Sequence, residues 1–414
     1  MYFFAIYCIL VSTTNLGGKD MLSNRLNVIS PSCTIGISSK VKSMRQSGID
    51  VISLSIGEPD FTVPRKAIEC GIKSLNDNCT QYDLVPGITI LREEICKKLL
   101  EENNCNYSAD EIVLASGAKN AITNALLAVT DPGDEILIPK PYWVSYIEMT
   151  KLVNAVPVEI ETSKENDFKL TADILRKYIT DKTKMIFLNN PSNPTGSVYT
   201  REELLEIANV CLENNIYILA DEIYERICYN DGFVSVASLS EEIKDITITV
   251  NGFAKSSALT GLRLGYTASN KTIAKGISSI QGHLISHPSL TAQYIGYGAL
   301  KYCKEDIDHM VATYKSRRDL VTAKLDSMEY VNYVYPNGAF YAFIDLSEVA
   351  KKYNFKESFS IEFCDEFLSK HNVAIVPGKA FGIDEYVRIS YACSEEEFTE
   401  GLNRLEKFIL EIMN

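Results

Sequence analysis

Residues 246–266 read ITITVNGFAKSSALTGLRLGY (Ile246–Tyr266). The β-branched apolar run Ile246–Val250 reads as a buried strand, and the turn after it presents one lysine, Lys255. Arg263 follows eight residues later. A lone lysine in a loop is ordinarily a solvated surface residue. Just past the end of a buried strand it is better suited to chemistry, with its amine as a nucleophile toward a carbonyl.

The segments on either side repeat the pattern. Short apolar runs at Ile112–Ala115, Glu135–Pro139, Ala155–Ile160, Lys184–Asn189 and Ile216–Ala220 read as strands. Between them Ile90–Leu100, Ala118–Val129, Leu170–Ile179 and Thr200–Asn214 carry helical spacing, the last opened by a Thr200/Glu203 capping box. Strand alternating with helix from about Lys66 to Tyr302 predicts an α/β fold, a mostly parallel sheet covered on both faces. Beyond it a long helix, about Lys304–Met328, precedes Val331–Val334, Ala339–Asp345, Val373–Val376 and Tyr386–Tyr391, expected as strands of a smaller mixed sheet. A Ser394/Glu397 capping box opens the last helix. The expected division is an extension at 1–20, then 21–65 joined with 304–414 as a smaller α+β domain around a large domain at 66–303.

With 414 residues, two domains are the starting expectation. The net charge of −13 disfavours nucleic acid or an anionic membrane as partner. Eleven cysteines without CxxC pairs suit reduced cytoplasmic thiols, and only four histidines are present, so no metal site is expected. MYFFAIYCILV at the start is too short to span a bilayer and lacks a basic flank or an A-x-A-like site. It reads as an upstream extension, with a signal peptide as the alternative and the functional chain opening near Met21. Gly17–Gly18–Lys19 lacks the rest of a phosphate loop and is set aside.

In open α/β sheets ligands sit beyond the carboxyl ends of the strands. Those ends deliver Asn193, Asp221, Tyr224 and Lys255, and Gly117–Ala118–Lys119 opens a helix after Ile112–Ala115. Each has an ordinary alternative: a turn at Asn193, a helix cap at Asp221, a core tyrosine, a surface ion pair for Arg263. Together they suit pyridoxal phosphate. The lysine holds an aldehyde, a carboxylate keeps the pyridine nitrogen protonated, a phenol and an amide bond the ring hydroxyl, and an arginine with a helix N-terminus holds phosphate.

From about Leu22 onward the chain resembles a class I aminotransferase of pyridoxal-phosphate fold type I, nearest the bacterial aspartate/prephenate aminotransferase subgroup. The resemblance is carried in order by PSCTIGISSK (Pro31–Lys40), IGEPDFTVP (Ile56–Pro64), YDLVPGITILRE (Tyr82–Glu93), SGAKNA (Ser116–Ala121), PYWVSY (Pro141–Tyr146), NNPSNPTG (Asn189–Gly196), ADEIYE (Ala220–Glu225), NGFAKSSALTGLRLGY (Asn251–Tyr266), PNGAFYAF (Pro336–Phe343) and YVRISYA (Tyr386–Ala392). It implies a large domain with a mostly parallel seven-stranded sheet between helices and a smaller α+β domain. Lys255 is then the Schiff-base lysine and the acid/base of the proton shift, Asp221 the partner of the pyridine nitrogen, and Tyr224 and Asn193 partners of the ring oxygen. Trp143 stacks on the ring. Gly117, Ala118, Lys119 and Arg263 lie around the phosphate, and Tyr82 reaches the phosphate of a neighbouring subunit in a homodimer with shared sites. Arg388 grips the substrate α-carboxylate with Asn193 and the Gly57 backbone, while Lys119, Ser32 and Thr34 meet a distal carboxylate.

The resemblance therefore implies ping-pong transfer from L-aspartate to 2-oxoglutarate. Prephenate, glutamate or aromatic transamination, or β C–S lysis, are alternatives on the same fold. A non-catalytic regulator would need a basic helix-turn-helix region, and the N-terminal extension is short and apolar. Two departures stand out: LISHP places His287 where the subgroup often has asparagine, and Ala254 precedes Lys255 where serine is common.

Overall fold

The computed structural model describes residues 22–230 and 232–414; the expected 1–20 extension lies outside the described residues. The thirteen strands among the described residues are β1 (Ile52–Ser53), β2 (Ile112–Ala115), β3 (Glu135–Pro139), β4 (Val156–Ile160), β5 (Thr183–Asn189), β6 (Tyr217–Asp221), β7 (Thr247–Gly252), β8 (Gly265–Ala268), β9 (Asn332–Val334), β10 (Tyr341–Asp345), β11 (Val373–Ala374), β12 (Val376–Pro377) and β13 (Tyr386–Ser390).

Strands β2 to β8 form one seven-stranded sheet in the order β2-β8-β7-β6-β5-β3-β4. The ladders from β4 through β7 are parallel, and β8 is antiparallel to both β7 and β2. Alternate residues go to opposite faces, as a pleated strand requires. Ile136, Ile138, Met185 and Phe187 pack into one core, while Leu137, Ile186 and Leu188 pack into another. Burial on both faces explains the continuous apolar runs. Helices Ala118–Val129 and Lys271–Leu284 cover the first face and Arg201–Glu213 the second.

Strand β8 was not expected from the sequence. It brings the chain straight back after the Lys255 turn, pairing Gly252 with Gly265. A side chain at Gly265 would come within 2.7 Å of the Ala118 nitrogen, so the close approach requires glycine. Helix Leu170–Ile179 is shorter than expected, at Ala172–Arg176, because the Thr171 side chain caps it by accepting from the Ile174 N–H. Both expected capping boxes, at Thr200/Glu203 and Ser394/Glu397, are present.

The smaller mixed sheet is corrected. Val373–Val376 changes partner at Ile375: β11 pairs in parallel with β1, whereas β12 joins a wholly antiparallel sheet, β12-β13-β10-β9. Pro377, without an N–H to donate, lies in the last β12 pair. Ile52 of β1 and Leu54 after it share a core with Phe363 and Phe367 of helix Phe359–His371 and with Leu405 and Phe408 of helix Glu395–Met413.

A buried charge cluster ties helix Thr89–Asn103 to the loop after β6. Lys98 pairs with Glu225, and Asn103 Nδ2 donates to Glu225 Oε2 at 2.8 Å. Burial pushes the Glu225 carboxyl upward, but the cations Lys98 and Arg226 outweigh it and hold the pKa below its ordinary value. Lys98→Met removes the direct ion-pair partner of a buried carboxylate. It should cost about 3–5 kcal/mol of stability. Urea denaturation checks this; a loss under ~1 kcal/mol would contradict the pairing.

Candidate active site

Beyond the carboxyl ends of β5, β6 and β7 lies a cavity of about 580 Å³. Asn189 at the end of β5 pairs with Asp221 at the end of β6, which in turn pairs with Val250 of β7. These adjacent ends, with the turn after β7, deliver Asn193, Asp221, Tyr224 and Lys255 to one space. Helix Cys33–Gln46 brings Thr34 to it, and β13 brings Arg388.

The Lys255 amine donates to the Gly57 carbonyl. Burial pushes its pKa down to about 8; Arg388 and Arg263 add to the depression, against the opposing carboxylates Glu58 and Asp221. Asp221 is buried, and its pKa is pushed up to about 6 by that burial. The Tyr146 hydroxyl donates to Asp221 Oδ2 at 2.6 Å, and the Ile223 N–H to Oδ1 at 3.3 Å, both favouring the charged form. Tyr146 stacks on Phe187, and Trp143 meets it edge-on at 5.4 Å. The hydroxyls of Tyr224 and Tyr341 share a hydrogen bond of 2.8 Å.

Arg388 is buried, 3 % exposed, yet has no ion pair among the described residues. It donates through Nη1 to Asn193 Oδ1 at 3.0 Å and through Nη2 to the Ser55 carbonyl at 2.9 Å, and its Nε finds no acceptor. Its guanidinium lies 4.3 Å from the Tyr341 ring centroid. A buried cation without a carboxylate is costly unless an anion arrives. Lys119, 5.0 Å above the Trp143 ring, has its pKa lowered by burial and then by Arg263. Lys119, Lys255, Arg263 and Arg388 all line the cavity, and none takes part in an ion pair among the described residues.

Gly117 adopts φ +83°, and a Cβ there would sit 2.6 Å from Arg263 Nη2. The guanidinium thus lies against the start of helix Ala118–Val129, whose first N–H groups have no intrahelical acceptor. Ser32 does not line the cavity; its Oγ bonds Thr34 Oγ1 at 3.1 Å. Tyr82 does not line this cavity and is 91 % exposed.

A family model described as aminotransferase class I and II matches residues 49–405. The chain is 41% identical over 392 residues to an aspartate aminotransferase of Bacillus sp. (strain YM-2), covering 94% of this chain and 100% of that one. The chain belongs to the class I and II aminotransferase family. It is also 41% identical over 394 residues to a probable aspartate/prephenate aminotransferase of Aquifex aeolicus (strain VF5), covering 94% and 99%. The structure is similar to the aspartate aminotransferase from Thermus thermophilus with maleate, at TM-score 0.88, 34% identity and 94% and 99% coverage. It is likewise similar to that from Thermotoga maritima, at TM-score 0.87, 36% identity and 94% and 100% coverage.

Aminotransferases of this family use pyridoxal phosphate, and this aminotransferase has the means to hold it. Arg263 and the start of helix Ala118–Val129 form a cradle of donors, and the unpaired cations around it call for an anion. Asp221 and Lys255 sit on one cavity with complementary pKa shifts. Sequence reasoning missed two members of this aminotransferase site, Tyr146 and Tyr341, although PYWVSY and PNGAFYAF both end near them. A buried phenol must find a hydrogen-bond partner, and that requirement was the available signal.

Proposed function

We propose that this enzyme moves the amino group of L-aspartate to 2-oxoglutarate, with pyridoxal phosphate joined to Lys255. The observation that carries the reading is Arg388: a buried arginine with no carboxylate opens on the same cavity as Lys255. It would take the substrate α-carboxylate as a bidentate fork, with Asn193 and the Gly57 backbone beside it. Arg263, Gly117 and the N–H groups of Ala118 and Lys119 would hold the cofactor phosphate. Trp143 would stack on the ring, and Tyr224 and Asn193 would bond its oxygen. Asp221 would keep a proton at the pyridine nitrogen. When bound, pyridoxal phosphate supplies an electron sink for the pair left as the Cα–H bond breaks. Lys255, its pKa lowered to about 8 by burial, gives up its own proton far more readily than an ordinary lysine, and once neutral it is the amine that would take the Cα proton.

Tyr82 is read as reaching the phosphate of a second copy, in a homodimer with shared sites; its exposure supports this. The scattered free cysteines suit a cytoplasmic enzyme.

Lys119 and Thr34 would face the distal carboxylate of an acidic substrate, with Ser32, outside the cavity, bonded to the Thr34 hydroxyl. Maleate, present in the similar Thermus thermophilus structure, is itself a dicarboxylate. Lys119→Met should lower kcat/KM for aspartate roughly ten- to a hundredfold, the loss of a charge-assisted hydrogen bond. Activity toward alanine should change little. A donor panel measures both; equal losses for the two donors would remove Lys119 from substrate selection.

The deciding experiment mixes the pyridoxal-phosphate-loaded protein with L-aspartate alone and follows the visible band of the lysine-bound cofactor. Loss of the band with formation of oxaloacetate, and recovery on adding 2-oxoglutarate, is the expected result. A band that persists with aspartate, disappears with glutamate and recovers on adding prephenate would favour the second reading, prephenate transamination. The Aquifex aeolicus relative's name and the reach of the cavity to Ser38, Ser39 and Lys42 support that alternative.

A further inference from the structure

The segment that follows helix Lys271–Leu284 straps down the loop that carries Tyr82. Three side chains of residues 281–293 bond the backbone of residues 83–88. Gln281 Nε2 donates to the Val85 carbonyl at 2.9 Å. Gln293 Oε1 accepts from the Ile88 N–H at 2.8 Å. His287 Nε2 accepts from the Asp83 N–H at 3.2 Å. Gln281 and Gln293 are completely buried, and Gln281 Oε1 in turn accepts from Asn124 of helix Ala118–Val129 at 3.1 Å. They fix the far end of the loop to the frame of the sheet. Of the three, His287 holds the end next to Tyr82, and its ring meets the Tyr82 ring edge-on at 6.1 Å between centroids.

The tautomer follows from the partners. His287 Nδ1 lies 2.8 Å from the Pro288 carbonyl, an acceptor only, so Nδ1 carries the proton and Nε2 is free to accept. Gln293 Nε2 donates to the same carbonyl at 2.7 Å, fixing the peptide that orients the imidazole. The ring is thereby held by hydrogen bonds at both nitrogens, with its acceptor aimed at the loop. Such support is more than an exposed tyrosine needs for packing, since Tyr82 itself is 91 % exposed.

We propose that His287 is a positioning residue: by bonding the Asp83 N–H and bracing the Tyr82 ring, it sets the Tyr82 hydroxyl for the cofactor phosphate of a second copy. This rests on the reading of Tyr82 given above. His287, the departure from the asparagine common in the subgroup, is thus a functional member of the shared site rather than a neutral replacement.

The test is the dissociation constant of pyridoxal phosphate, measured by equilibrium dialysis and by the visible band, for wild type, Y82F, H287A, H287Q and H287A/Y82F. Y82F should weaken binding roughly tenfold or more, the loss of a hydrogen bond to a charged group. H287A should weaken it roughly three- to tenfold, and H287Q should stay within about twofold of wild type because its amide oxygen can accept in place of Nε2. The double variant should bind no more weakly than Y82F, because both changes remove one interaction. The cofactor-free H287A protein should melt with the wild type. Additive losses in the double variant, or wild-type binding by H287A when Y82F binds weakly, would overturn the proposal for His287. Wild-type binding by Y82F would instead overturn the reading of Tyr82 beneath it.

Discussion

Replacing Lys255 with alanine should lower the transamination rate by at least about four orders of magnitude while leaving a folded protein. The lysine is the one amine in the cavity with both a strongly depressed pKa and a carboxylate, Asp221, acting on it. Its removal deletes both the anchor for an aldehyde and the base for a Cα proton. Folding should not suffer, because the lysine lines the cavity and among the described residues its one hydrogen bond goes to the Gly57 carbonyl. The pH dependence has a definite sign. A lysine whose pKa is about 8 in the folded protein and 10.5 when free binds fewer protons folded than unfolded between those values. Stability of the cofactor-free protein should therefore gain from this group as pH rises from about 8 to 10.5. Below that window the buried charge carries its full cost, so Lys255→Met should stabilise the cofactor-free protein there. Stopped-flow turnover and urea denaturation at several pH values measure the two halves. Wild-type turnover in Lys255→Ala would end the assignment.

Arg388→Lys is the second large effect. Lysine keeps the charge but not the planar fork, and its single ammonium would be drawn to the Ser55 carbonyl and Asn193 Oδ1 that now hold the two Nη groups. Truncating one partner of a buried, hydrogen-bonded charge pair costs about 2–5 kcal/mol. That corresponds to roughly thirtyfold to several thousandfold in kcat/KM for every amino donor. Because Arg388 is assigned to the substrate and not the cofactor, pyridoxal phosphate affinity should stay near wild type. A kcat/KM within threefold of wild type would show that the carboxylate is held elsewhere.

Much of this arrangement was legible in the chain. Glu135–Pro139 and Ala118–Val129 were placed at their observed limits because a buried parallel strand and an apolar-faced helix leave clear periods. The strand-end residues Asp221 and Lys255 stood out because packing has no use for them. Strand β8 did not stand out: GYTA has a glycine, a small residue and no alternation, and it is buried end to end by tertiary contact alone. The partner change at Ile375 was invisible because β1 is only two residues long and lies far away in sequence. Lys98 reads as a surface residue on its helix until Glu225 is placed beside it. The Tyr146 bond to Asp221 likewise depends on two elements meeting, which no local pattern records.

The Arg388 bond to Ser55 joins residues 333 positions apart. The large sheet closes within residues 112–268, so a chain emerging from the ribosome can complete the Asp221 and Lys255 ends long before β13 exists. Domains fold largely as they are synthesised, and contacts between distant residues form late. The nascent enzyme would then have the proposed cofactor wall before the proposed substrate clamp, and Arg388 would arrive after Asp221 and Lys255. A polypeptide truncated before Tyr386 would be an intermediate with half of a working site.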